Sequence, residues 1–88
     1  MPSYLVEMYL AGDHERHLAA CRRRARSAAA ELSQVSFDRS IHVPEDEICF
    51  FVFDAPSSAE VALVAQRAEL EPLRIVEAVS STSAKEGT

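Results

Sequence analysis

The chain has 88 residues, of which 48% are hydrophobic, and a formal net charge of −5, which predicts one small domain with a thin core. The negative charge argues against binding to nucleic acid or to an anionic membrane, and no apolar run approaches the ~20 residues of a membrane-spanning helix. The N-terminus lacks a secretion signal and two cysteines do not form a disulfide framework, so we expect a reduced, cytoplasmic protein.

The N-terminal part of the chain predicts a strand followed by a helix. Residues 3–10 are mostly apolar and Glu7 is their only charge, as in a strand. Asp13 is a good N-cap for a helix that runs to about Ser33, because its carboxylate can accept the free amides of the first turn. The apolar stripe of this helix contains small residues, which predicts close packing on a sheet: Leu18, Cys21, Ala25, Ala28, Ala29 and Leu32. The arginines at positions 22–24 and 26 mostly lie off the stripe, and the acidic chain favours a solvated helix face for them over an anion-binding patch.

The middle of the chain contains its most hydrophobic segment. Residues 47–54, EICFFVFD, are bounded by polar turns and are typical of a fully buried central strand. Residues 35–43 alternate between apolar and polar side chains, which indicates an edge strand. A turn that begins at Pro44 is expected to join these two strands as an antiparallel hairpin.

The C-terminal part predicts a second helix and a last strand. Ser57 and Glu60 have the spacing of a capping box, and Pro72 is expected to stop the helix that they begin. Residues 73–79 form the predicted last strand. Residues 80–88 are small and polar, and we expect them to be a flexible tail.

The predicted order over residues 1–79 is strand, helix, strand, strand, helix, strand. This is the order of a single α+β domain with the ferredoxin-like split βαβ fold. Its sheet is expected to be antiparallel, with the strand order 4-1-3-2 and both helices on one face. Because the phenylalanines of the central strand need cover on both faces, a second subunit could cover the other face, and we expect a homodimer.

The alternation in strands one and four predicts charged side chains on the helix-free face. Val76 and Ala78 suit the helix layer, which places Glu77 opposite, and the same argument places Glu7 there. The second strand is expected to line this face with Phe37, Arg39 and Ile41. These charges favour either a small-ligand or acid–base cleft between the sheet and a partner, or a structural ion-pair network within a dimer interface.

Three histidines suggest a metal site. His14 and His17 share a helix face, and the topology brings the start of this helix to the end of the sheet that carries the hairpin turn. Imidazoles and carboxylates suit nickel, copper or zinc. The candidate ligands are therefore His14, His17 and His42, with Asp13, Glu45 and Asp46 in support. The alternative is ordinary surface histidines, since this spacing is no recognised ligand motif. The two cysteines are expected to be small core residues.

Four segments carry a family resemblance: YLVEMYL at 4–10, VPEDEICF at 43–50, FDAPS at 53–57 and RIVEAV at 74–79. Together they resemble a family of small bacterial ferredoxin-like proteins of mostly undefined function, which includes a nickel-binding protein. The resemblance implies a homodimer of split βαβ subunits that binds a nickel ion. The matched segments do not mark the metal ligands of the family; they contain Glu7, Glu45, Asp46, Cys49 and Glu77.

These observations lead to three functional hypotheses. The first is a cytoplasmic, homodimeric nickel-binding protein that sequesters the metal and does not catalyse a reaction. The second is a small-molecule-binding protein or minor enzyme of the dimeric α+β barrel type, which would use Glu7, Arg39 and Glu77 on the helix-free face. The third is an interaction module that has no ligand.

Overall fold

The computed structural model describes residues 1–10 and 15–79. The predicted cap at Asp13 and the predicted tail at 80–88 lie outside the described residues. The elements in chain order are β1 Ser3–Tyr9, α1 Glu15–Ala30, β2 Ser36–Val43, a 3-10 turn Pro44–Asp46, β3 Ile48–Asp54, α2 Ser58–Arg67 and β4 Pro72–Ala78.

The four strands form one antiparallel sheet in the order β2-β3-β1-β4. This is the predicted order 4-1-3-2 counted from the opposite edge, and the ferredoxin-like α+β prediction is confirmed at this level. β3, the most hydrophobic segment, is an inner strand between β1 and β2 because it is apolar on both faces. No helix within the described residues is long and apolar enough to cross a membrane.

Both helices pack on one face of the sheet and enclose a single hydrophobic core. The sheet contributes alternate residues of its inner strands, of which Val6, Phe51 and Phe53 are fully buried. The core side of α1 includes Cys21 and Ala25, and its small side chains let the helix approach the sheet closely, as the sequence predicts. α2 completes the core with Val61, Val64 and Ala65.

The capping box predicted at the start of α2 is present only in part. Ser57 is the N-cap residue and has extended backbone angles, but its hydroxyl makes no hydrogen bond to a backbone amide. The hydroxyl instead donates to the carboxylate of Glu60. The sequence predicted the right pair of residues. In the structure, however, the two side chains bond to each other, whereas in a capping box each side chain bonds to a backbone amide.

The end of α2 differs from the prediction that Pro72 stops it. The helix ends at Arg67, and Glu69 adopts a left-handed conformation with φ 59°. The amide of Glu69 donates to the carbonyl of Gln66, and the amide of Leu70 donates to the carbonyl of Ala65. These two bonds form a Schellman motif, in which Glu69 occupies the position that glycine usually takes. Pro72 is the first residue of β4.

A bulge in β2 changes which face its side chains occupy. Phe37 pairs with Phe53 and Arg39 pairs with Val52, so Asp38 is an extra residue between two consecutive pairs. The ring of Phe37 lies 5.3 Å from that of Phe53, on the helix side of the sheet. Phe37 is therefore not on the helix-free face, and that prediction is wrong.

The prediction that Glu77 faces away from the helices is also wrong. Glu77 is directly opposite Tyr4 in the β1–β4 ladder, and the side chain of Tyr4 is buried on the helix side. Ile75, on the same side as Glu77, packs against the core. The residue opposite Glu7 is Arg74. The sequence could not determine this register because Ile75 and Val76 are both apolar enough to face the core.

The other face of the sheet carries no helix within the described residues, and we call it the open face. The smallest extent of the molecule is 18 Å, which corresponds to one helix layer and one sheet. The side chains of the open face are mostly apolar and half-buried, and Ile41 is 40% exposed. The apolar members are Leu5, Ile41, Val43, Ile48, Phe50, Val52 and Val76.

Candidate functional site

A cleft of about 510 Å³ opens at the end of the sheet where β1 ends and α1 begins. We call it the end cleft. His17 and Cys21 reach it from α1, and Glu69 and Glu71 reach it from the connection between α2 and β4. Its apolar wall includes Leu73. The cleft is thus built where several chain segments meet at one end of the sheet.

The side chains of His17 and Cys21 meet in this cleft. They are four residues apart on α1, so they lie on the same side of the helix. His17 Nε2 lies 3.8 Å from Cys21 Sγ. The imidazole is exposed and the cysteine is 2% exposed, so the pair lies at the boundary between solvent and core.

Arg24 lies beside this pair and ties it to the second helix. Its Nε donates to the carbonyl of Ala68 at 2.7 Å, and its Nη2 donates to Cys21 Sγ at 3.4 Å. The guanidinium forms no ion pair with a carboxylate among the described residues. The end cleft therefore combines an imidazole, a thiol and a positive charge in adjacent positions.

The remaining predicted metal ligands do not join His17 in one cluster. His14 and Asp13 lie outside the described residues. Glu45 and Asp46 are exposed in the 3-10 turn, and His42 lies on edge strand β2. Within residues 1–10 and 15–79, no group of three or more histidine, cysteine, aspartate or glutamate side chains could hold a metal ion. What these residues offer a metal is the pair His17 and Cys21.

His42 and Cys49 occupy a separate place under the helix layer. They are directly opposite each other in the β2–β3 ladder, and Cys49 is 1% exposed. His42 Nε2 is buried and has no hydrogen-bond partner among the described residues. Burial, with a smaller contribution from the neighbouring Cys21, raises the pKa of the Cys49 thiol to about 11. Cys49 is a core thiol, as the sequence predicts.

The polar groups of the open face are paired within the sheet. Arg74 Nε donates to Glu7 Oε1 at 2.6 Å, and the Glu7 side chain is only 14% exposed. Arg39 pairs with its neighbour Asp38, and both side chains are well exposed. Of the three residues predicted to bind a ligand here, Glu7 and Arg39 lie on this face and Glu77 does not. Neither Glu7 nor Arg39 lines the end cleft or the two smaller clefts beside α1.

Four residues of the end cleft carry no prediction of a site in the sequence: Cys21, Arg24, Glu69 and Glu71. For Cys21 a signal was present, because it follows His17 by four residues. Its place on the apolar stripe favoured a purely structural role. For Glu69 and Glu71 no signal existed, since only the left-handed end of α2 turns this connection toward α1.

Comparison with known proteins establishes the fold and no more. No protein-family profile matches the chain, and no curated protein matches it. Among solved structures, the chain is similar to SCO4226 from Streptomyces coelicolor, with a TM-score of 0.79 and 17% identity. The match covers 91% of this chain and 99% of SCO4226. At this identity the likeness supports the α+β architecture described above.

Proposed function

We propose that the protein binds a divalent transition metal in the end cleft, through His17 Nε2 and Cys21 Sγ, and that it sequesters the metal in the cytoplasm. The family resemblance makes nickel the first candidate. The observation that carries the proposal is the 3.8 Å separation of the two donor atoms. Imidazole and thiolate are donors suited to nickel, copper and zinc.

The separation of the two donors suits a metal ion between them. With the zinc bond lengths of about 2.3 Å to sulfur and about 2.05 Å to nitrogen, a tetrahedral angle separates the two donors by about 3.6 Å. The angle of about 90° in tetragonal nickel or copper would separate them by about 3.1 Å. From the 3.8 Å in the structure, a small side-chain rotation reaches the tetrahedral separation and a larger one reaches the tetragonal separation. Two protein donors leave coordination positions for water or another ligand, as in metal sites that are open to exchange.

Calorimetric titration with nickel sulfate tests the proposal. We expect submillimolar binding to the wild-type protein and at least about tenfold weaker binding to His17→Ala and to Cys21→Ser, because each variant removes one of two donors. His42→Ala is the matched control, because it removes a histidine outside the end cleft, and it should bind as the wild type does. Equal affinity in all four proteins would contradict the assignment.

We further propose that the protein is a homodimer that pairs through the open face. Four strands about 4.8 Å apart and seven residues of about 3.3 Å each give a flat area of about 440 Å². The accessible area of such a corrugated face is larger and approaches the about 800 Å² per partner of a standard interface. The face carries both Glu7 and Arg39, so two copies related by a twofold axis can place opposite charges together.

Binding of a small molecule between the two open faces is the second candidate function. The observation that favours it is the ion pair of Glu7 and Arg74 on a mostly apolar face, since few polar groups among apolar walls are typical of ligand sites. If a ligand bound there, dimer formation would create its cavity. Co-purification of a small molecule with the dimer, lost in Glu7→Gln but not in His17→Ala, would support this candidate over metal binding.

A further inference from the structure

The end cleft is much larger than a metal ion needs. Its volume is about 510 Å³, whereas four water molecules that complete a coordination shell occupy about 120 Å³. Leu73 also lines the cleft and is 61% exposed. Among the described residues, a hydrated metal alone would leave Leu73 without an apolar contact in the cleft, so the volume fits an organic group beside the ion.

Arg24 provides a recognition element for such a group. Two of its N–H groups are used, by Ala68 and by Cys21 Sγ, which leaves three of the five donors of a guanidinium. The side chain is half-buried at the cleft and forms no ion pair with a carboxylate among the described residues. A planar guanidinium with spare donors matches a carboxylate.

Glu69 and Glu71 limit which carboxylate can enter. Both line the same cleft, and their negative charges oppose a free polycarboxylate anion. In a complex with nickel, the charge of the metal neutralises the carboxylates that bind it. The outer oxygen of such a carboxylate still accepts hydrogen bonds. The charges of the cleft therefore favour a metal complex over the free chelator.

We propose that the cargo of the end cleft is a divalent metal already held by a small carboxylate chelator, with His17 and Cys21 completing the coordination and Arg24 binding a carboxylate. This inference rests on the proposed function, since it needs the metal contact at His17 and Cys21. It adds the chemical class of the co-ligand and the residue that recognises it.

Titration with two nickel complexes tests the inference. Nickel iminodiacetate presents carboxylates, whereas nickel diethylenetriamine fills the same number of positions with amines only. We expect Arg24→Gln to weaken binding of the iminodiacetate complex at least about tenfold, because a hydrogen bond to a charged group is lost. The same variant should bind the triamine complex as well as the wild type or better, since a positive charge is removed. Arg22→Gln, which changes an exposed arginine outside the cleft, is the matched control.

The outcomes separate this inference from the proposed function. In one outcome, both complexes bind with an affinity that His17→Ala lowers and Arg24→Gln does not change. That result would support the metal site and overturn the proposal that Arg24 binds a carboxylate chelator. If neither complex nor nickel sulfate binds to the wild type, both proposals are overturned.

Urea unfolding of each variant shows whether loss of the Ala68 contact has altered the fold. If Arg24→Gln does not fold, Arg24→Lys is the second variant, because lysine keeps the positive charge but lacks the planar guanidinium. This variant should bind the iminodiacetate complex less tightly than the wild type.

Discussion

Cys21 and Cys49 belong to the same core but differ in what they can do. Cys49 is enclosed between β2, β1 and the helix layer, and its pKa is raised to about 11 by burial. A thiol with such a pKa stays protonated near neutral pH and is a poor nucleophile and metal donor. Cys21, equally buried, lies against the imidazole of His17 at the wall of the end cleft. The difference lies in the neighbours, because both residues are almost inaccessible to solvent.

The raised pKa of Cys49 predicts a loss of stability in alkaline solution. The folded pKa of about 11 exceeds the ordinary value of 9.0, so the folded state holds the proton more tightly than the unfolded state. The stabilisation is complete below pH 9 and is lost as the pH rises toward 11. We expect the free energy of unfolding to decrease from about pH 8.5 to about pH 10.5 in both the wild type and Cys49→Ala. The decrease in the wild type should be larger by about 1.5–2 kcal/mol. Urea unfolding at each pH measures this difference, and parallel curves for the two proteins would refute it.

At the scale of single residues, the sequence predicted burial better than it predicted roles. The small residues of α1 and two phenylalanines of β3, Phe51 and Phe53, lie in the core, because apolar periodicity reports burial directly. Glu77 was placed on the wrong face, because alternation in β4 fits the core equally well through Ile75 or Val76. Contacts between distant elements, such as that of Arg24 with Ala68, leave no pattern in the sequence.

Among the elements, the end of α2 is governed by the conformation of one residue. Glu69 has φ 59°, where a side chain with a Cβ atom is strained and glycine is not. We expect Glu69→Gly to raise the free energy of unfolding by about 0.5–1 kcal/mol. Glu69→Ala removes the same carboxylate without relieving the backbone, so it should leave the stability within about 0.5 kcal/mol of the wild type. Urea denaturation distinguishes them, and an equal effect of both substitutions would show that the side chain, not the backbone, is responsible.

The bulge in β2 determines which residues of this strand face the helices. Asp38 is the extra residue, and without it Phe37 could not lie on the helix side while Arg39 lies on the open face. We expect deletion of Asp38 to lower the free energy of unfolding by at least about 3 kcal/mol. Without the extra residue, the part of β2 on one side of the bulge can no longer keep its present pairing with β3.

The substitution Asp38→Ala is the control for this deletion. It keeps the extra residue and removes only an exposed ion pair with Arg39, so it should change the stability by less than about 0.5 kcal/mol. A deletion variant as stable as the wild type would mean that β2 tolerates either register.

For the elements, hydrophobic pattern and turn residues were enough to predict the order and most boundaries. The bulge and the left-handed helix end were not predicted, because neither contains the glycine that usually marks such features. In both cases tertiary packing imposes the conformation: Phe37 packs against the core with its ring tilted relative to that of Phe53, and Leu70, which follows Glu69, is buried.

At the scale of the whole molecule, the two layers formed by residues 1–10 and 15–79 leave one side of an apolar sheet without cover. A contiguous apolar surface of this kind on a small protein is typical of an interaction site. We expect the 9.7 kDa chain to sediment at twice its mass, and Ile41→Glu to shift it to the monomer, because the charge would be buried in the interface.

The control for this substitution is Leu63→Glu. Leu63 lies on α2 and is 37% exposed, close to the 40% of Ile41, but it is not on the open face. The Leu63→Glu variant should remain a dimer. A wild-type protein that sediments as a monomer at all concentrations would contradict the proposed pairing.

The proposal that His17 and Cys21 bind the metal is tested most directly by identifying the atoms that coordinate nickel in the protein. X-ray absorption at the nickel edge should show one sulfur neighbour and at least one imidazole in the wild-type protein, because His17 and Cys21 supply both donors. The sulfur neighbour should disappear in Cys21→Ser and persist in Cys49→Ser. A shell of oxygen and nitrogen alone in the wild type, unchanged by Cys21→Ser, would contradict the assignment of the end cleft as the metal site.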